Sequence, residues 1–130
     1  METGLPFLVS FVTGPGGQLL SGERLSDVLP RVAAFRPAAV GINCVSCRWV
    51  DEALGGLLEG ARGAAVSVYA NTGERAEDGS WRVTNASEPA VYAGLAQQWL
   101  ERGVRWIGGC CGTTPAHVRA LQGLISQRFV

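Results

Sequence analysis

The sequence predicts an α/β fold of parallel strand-helix repeats, and three observations carry that prediction. Short apolar runs alternate with amphipathic stretches four times along the 130 residues, at a spacing of roughly thirty residues that suits a strand and its crossover helix. The runs are almost continuously apolar, as strands of a parallel sheet are. Cysteines and polar residues follow directly on the ends of the runs, and the C-terminal edge of a parallel sheet is where such folds bind ligands.

Each element has its own signal. Leu5 to Val12 is the first strand, stopped by Thr13-Gly14-Pro15-Gly16-Gly17. Ser26 or Asp27 is placed to cap a helix with Val28, Val32 and Phe35 on its apolar face, ending before Pro37. Ala38 to Ile42 is the second strand and runs into Asn43-Cys44-Val45-Ser46-Cys47. A helix follows from Arg48 to about Arg62, with Ala53, Leu54, Leu57, Leu58 and Ala61 on one face and Gly63 as its C-terminal cap. Ala65 to Ala70 is the third strand. Beyond Asn71-Thr72-Gly73-Glu74 a polar segment through Asn85 reads as a surface loop, and Ser87 as the cap of a helix buried through Val91 or Tyr92, Leu95 and Trp99. Val104 to Ile107 is the fourth strand. Gly108-Gly109-Cys110-Cys111-Gly112 then leads to Thr114 as N-cap, Pro115 as first helical residue, and a last helix turning Val118, Leu121 and Ile125 inward.

Composition narrows the chemistry. Formal charge is zero, with no block of like charge, which speaks against nucleic-acid binding. No apolar run approaches the roughly 20 residues that span a bilayer, and no basic leader opens the chain, so a cytoplasmic protein without membrane contact is expected. All eleven basic residues are arginine, which removes Schiff-base and P-loop lysine mechanisms from this chain. The one histidine, His117, reads as a surface residue of the last helix. Trp81 and Trp106 read as space-filling between helices and sheet, and Arg75, Glu77, Asp78 and Arg82 as a solvated face.

The cysteines carry the functional argument. A disulfide between Cys110 and Cys111 is disfavoured, because neighbouring Cα atoms lie about 3.8 Å apart and disulfides want roughly 4.4 to 6.8 Å. Cys44 and Cys47 have the spacing of a redox dithiol or of half a zinc knuckle. All four cysteines together would make a closed structural zinc site. Convergence of Cys44, Asn71, Cys110 and Cys111 on separate strand ends favours an open three-cysteine metal site. Asn71 and Glu74 on their own have the composition of an ordinary turn.

Gly41-Ile42-Asn43-Cys44, followed much later by Gly108-Gly109-Cys110-Cys111-Gly112-Thr113-Thr114-Pro115, resembles the zinc-binding signature of the homocysteine S-methyltransferases. Tyr69-Ala70-Asn71-Thr72-Gly73-Glu74 and Val9-Ser10-Phe11 are similar to that family's seventh and fifth strands. The resemblance implies Zn2+ held by Cys44, Cys110 and Cys111, with the homocysteine thiol as fourth ligand and Asn71 at the amino-acid end of homocysteine. It also implies methyl transfer to that thiol from a cationic or onium donor, S-methylmethionine, S-adenosylmethionine or betaine, giving methionine. Cys47 matches no ligand position. The family fold is a (β/α)8 barrel of typically about 250 residues, so residues 1–130 are expected to be a partial domain: the second half-barrel, strands five to eight, in four β/α units. Such a half is expected to pair with a copy of itself or with a complementary N-terminal half-barrel. The alternative is a half-barrel relative that binds zinc or thiols without catalysis.

Overall fold

The computed structural model describes residues 3–128. Four parallel strands form one sheet in the order β1 (Leu8–Phe11), β2 (Ala39–Ser46), β3 (Ala65–Asn71), β6 (Trp106–Gly109). Helices α1 (Leu25–Ala33), α2 (Val50–Gly60) and α3 (Pro89–Arg102) connect them, and α4 (Pro115–Arg128) follows the last strand. The strand order always advances in the same direction, so crossovers of one hand place every helix on the same face.

Side-chain alternation along the strands shows the result. Val40, Ile42, Val66, Val68 and Ala70 point into a core completed by Leu25, Leu29, Val50, Leu54, Leu57, Tyr92, Ala96, Trp99 and Leu121 from the helices. The opposite face carries a row of registered neighbours, Ser10, Gly41, Ser67 and Trp106. The sheet is thus covered by helices on one face only.

Several boundaries differ from the sequence expectation. The segment between Asn71 and Asn85 contains an antiparallel hairpin, β4 (Gly73–Arg75) with β5 (Trp81–Val83). Helix α1 starts after Arg24 rather than at a Ser26 or Asp27 cap, and its inward residues are Leu25 and Leu29, while Phe35 is 75% exposed. Ser87 lies in a 3-10 turn, and Glu88 followed by Pro89 opens α3. In α4, Leu121 faces inward as expected, but Val118 and Ile125 are exposed and His117 takes the inner position. Pattern alone assigned Val118 because it cannot tell a solvent-facing valine from a buried one. Among the described residues no helix is long and apolar enough to cross a membrane.

Candidate metal centre

Three thiols meet at the C-terminal edge of the sheet. The sulfurs of Cys44, Cys110 and Cys111 all lie within 4.8 Å of one another, and among the described residues they are the grouping of His, Cys, Asp and Glu side chains able to hold a metal ion. Cys44 Sγ and Cys110 Sγ are 2.9 Å apart.

Strand β2 delivers Cys44 by breaking its own register. Asn43 pairs with Tyr69 but Ser46 with Asn71, so β2 carries one residue more than β3 over this interval. Cys44 occupies the left-handed region at φ 54°. A bulge of this kind re-aims a side chain at the sheet edge. Asn43, just before it, accepts a 2.6 Å hydrogen bond from Ser10 Oγ on β1. Beyond the bulge, Val45 and Cys47 turn into the core. Cys47 is 5% exposed and its thiol lies 3.9 Å from Thr84 Oγ1. Burial pushes that thiol above its ordinary range, partly opposed by the Thr84 hydrogen bond and the Arg48 charge. It stands outside the grouping, as an open site requires.

The other two cysteines sit on the turn after β6. Cys110 N–H donates to Ala70 O at 2.9 Å, and Thr72 N–H donates to Cys111 O at 3.0 Å. Thr113 Oγ1 donates to Cys110 O at 2.7 Å. Cys111 N–H donates to Asn71 Oδ1 at 3.0 Å. Gly112 has φ +81°, and a Cβ there would stand 2.1 Å from Thr72 Oγ1, so both its conformation and its space require glycine. Asn71 is therefore buried against the cysteine turn as well as lining the groove in front of it.

The close pair divides its protons unevenly. Cys44 is pushed up to about 11, first because its thiol donates to Cys110 and then by burial and the Cys110 charge. Cys110 is held below the ordinary range: burial opposes this, but hydrogen bonds from the Cys44 thiol and the Cys111 backbone outweigh it. Of the pair, Cys110 thus gives up its proton more readily and Cys44 holds its own more tightly.

A groove of about 960 Å³ opens in front of the thiols, walled by Trp49, Leu20 and the β4–β5 hairpin. The Trp81 ring lies directly over Gly73, where a Cβ would meet it at 2.7 Å. It is 44% exposed toward the groove, not buried between helices and sheet, and Trp106 is 44% exposed as well. Glu74, read as a turn residue, is 7% exposed. Its Oε1 receives Arg82 Nη1 at 3.2 Å and Arg48 Nη1 at 3.5 Å, while Oε2 is buried without a partner. The signal that would have found this hairpin is Trp81-Arg82-Val83, a short β-type run inside the polar segment.

The donor set fits zinc. Thiolate sulfurs are preferred ligands of that ion, and a tetrahedral site with Zn–S near 2.3 Å sets sulfurs about 3.8 Å apart. Opening the Cys44–Cys110 pair by about an ångström meets that spacing, and three protein ligands leave one position for a substrate.

The family model described as homocysteine S-methyltransferase matches residues 1–125. Homocysteine S-methyltransferase 1 of Zea mays is 31% identical over 128 residues, covering 95% of this chain and 39% of that protein. Selenocysteine Se-methyltransferase of Brassica oleracea var. italica is 32% identical over 95% of this chain and 37% of its own length. Homocysteine S-methyltransferase of Escherichia coli (strain K12) is 35% identical over 87% of this chain and 37% of its own length. The crystal structure of the homocysteine methyltransferase MmuM from Escherichia coli, oxidized form, superposes with a TM-score of 0.69 at 33% identity, over 88% of this chain and 35% of that one. The chain thus spans between a third and two fifths of the length of the relatives it matches.

Proposed function

The chain belongs to the homocysteine S-methyltransferase family, and we propose that it forms the zinc-bearing half of an enzyme that methylates the homocysteine thiol to give methionine. The observation that carries this reading is the convergence of Cys44, Cys110 and Cys111 within 4.8 Å at the ends of two strands. Residues 1–130 are read as a partial domain whose four β/α units correspond to strands five to eight of a (β/α)8 barrel. The relatives' greater length and the one-sided helix cover support that assignment.

In this reading Cys44, Cys110 and Cys111 hold Zn2+, and the ion supplies Lewis acidity that keeps a bound homocysteine thiol deprotonated at neutral pH. The chain's own residues do the rest. The β2 bulge and the turn after β6 set the three sulfurs on one side and leave the groove side open. Asn71 fixes the Cys111 amide through Oδ1, and its amide NH2 is assigned to the amino-acid end of homocysteine. A cationic donor, such as S-methylmethionine or S-adenosylmethionine, or betaine, enters along the groove past Trp81. Sulfur attack on the methyl carbon breaks the bond to the donor heteroatom, which leaves neutral from an onium donor. The chain needs no general base for that step, in keeping with its single histidine being engaged elsewhere. The partner is a complementary N-terminal half-barrel or a second copy, and the setting is the cytoplasm.

The test is metal stoichiometry. One zinc per chain is expected, lost in Cys110→Ser and largely retained in Cys47→Ser. Equal loss from both would favour the closed four-cysteine site and sink the open one.

A further inference from the structure

Hydrogen bonds run from the cysteine turn back to itself through His117. Cys111 O accepts from Thr72 N–H, and Thr72 O accepts from Thr84 Oγ1. Thr84 Oγ1 in turn accepts from Ala86 N–H at 3.2 Å. His117 Nε2 lies 3.1 Å from Ala86 O, and Nδ1 receives Thr114 N–H at 3.1 Å. Thr114 follows Thr113, which is bonded to Cys110 O, so the ring closes on the turn where it began.

These contacts define the histidine's state. A backbone N–H can only donate, so Nδ1 is an acceptor, and Nε2 therefore carries the proton given to Ala86 O. His117 is the third residue of α4 and reaches back to the amide of the cap residue, the place a Glu or Gln holds in a capping box. Capping alone does not require burial, yet His117 is 2% exposed. Tyr92 stands edge-on to its ring at 5.6 Å. The Tyr92 hydroxyl is 3.0 Å from Ala70 O and 2.8 Å from Gly108 O. Those carbonyls belong to the strand that ends in Asn71 and to the strand that leads into Cys110.

We propose that His117, with Tyr92 beside it, is the positioning residue of the metal centre: it closes the ring that holds the Cys110–Cys111 turn in place and touches neither ligands nor metal. The inference rests on the zinc reading above. An apolar residue of similar size would fill the same space in the core, but it would leave both Thr114 N–H and Ala86 O without partners and free the turn at its helix end.

The experiment compares wild type, His117→Leu, His117→Gln and Tyr92→Phe as purified full chains. Co2+ titration followed by its thiolate charge-transfer band reads the metal, and amide exchange of the metal-free chains reads the turn. His117→Leu is expected to bind Co2+ about ten-fold more weakly, the loss typical of outer partners of a metal site. In the metal-free chain its Cys110 and Cys111 amides exchange at least about ten-fold faster, while amides inside β2 and β3 keep their protection. Glutamine, which can accept from Thr114 and donate to Ala86, restores part of both. Should His117→Leu fail to fold, Tyr92→Phe must show the same selective loosening. Unchanged exchange at Cys110 and Cys111, or equal loss throughout the sheet, would overturn the proposal. A wild-type chain that takes up no Co2+ overturns the zinc reading alone, and the exchange comparison still decides what His117 does.

Discussion

At the residue scale the four cysteines are two kinds of group, and chemistry should separate them. Cys44 and Cys111 are exposed and Cys110 half-buried, whereas Cys47 is buried in the core with its thiol pushed up by burial. Only the thiolate reacts readily with alkylating agents. In the metal-free folded chain, iodoacetamide near neutral pH is expected to modify Cys110 first, because Cys44 donates to it and stays protonated until about pH 11. Cys47 should be the last modified, reacting at the rate of unfolding. Peptide mapping over time checks the order, and early labelling of Cys47 would contradict the buried placement. Asn71 admits a similar separation. Asn71→Asp keeps an oxygen for the Cys111 amide but removes the NH2 donor, so metal binding should persist while homocysteine binding to the zinc-loaded chain weakens roughly ten-fold or more, one charged hydrogen bond being worth about 1.5 to 3 kcal/mol. Equal homocysteine affinity in the variant would leave Asn71 with its turn-holding role alone.

At the element scale, close approach between strands is the controlling constraint. A Cβ at Gly41 would fall 1.8 Å from Ser67 Oγ and 2.4 Å from Ser67 O, and one at Gly108 would fall 2.2 Å from Tyr69 Cδ1. The serine and tyrosine side chains therefore lie flat over neighbouring glycines on the uncovered face. Gly41→Ala should lower stability by about 1 to 3 kcal/mol through overpacking against backbone, read as a lower melting temperature; an unshifted melt would mean that β2 and β3 can separate at little cost. The four main strands, the four helices and the cysteine convergence were legible because each rests on period or punctuation along the chain. The β4–β5 hairpin was not, because three-residue strands are too short to show a period, and of the two arginines on Glu74 one, Arg48, comes from outside the hairpin. The place of His117 was equally hidden. Its partner Ala86 is 31 residues away, and the ring it closes uses backbone carbonyls that no side-chain pattern reports.

At the scale of the whole molecule, the sheet has two edges and one bare face. Among the described residues, strands β1 and β6 are each paired on one side only, and the face opposite the helices presents Leu8, Ser10, Tyr69 and the 44% exposed Trp106. Unpaired edges beside exposed aromatic surface favour association. Closing a barrel takes about eight strands, so on the half-barrel reading proposed above these four need a complement to cover the bare face. Two copies would cover the bare face and double the candidate metal site. The purified chain is therefore expected to sediment as a dimer or larger species, and Trp106→Ser to shift it toward monomer while leaving zinc content unchanged. It is also expected to make no methionine in multiple turnovers from homocysteine and S-methylmethionine, S-adenosylmethionine or betaine. A monomer at every concentration would refute the first expectation. Sustained turnover abolished by Cys111→Ser would refute the second, and would mean that the groove between the hairpin and the cysteine turn binds and orients both substrates unaided.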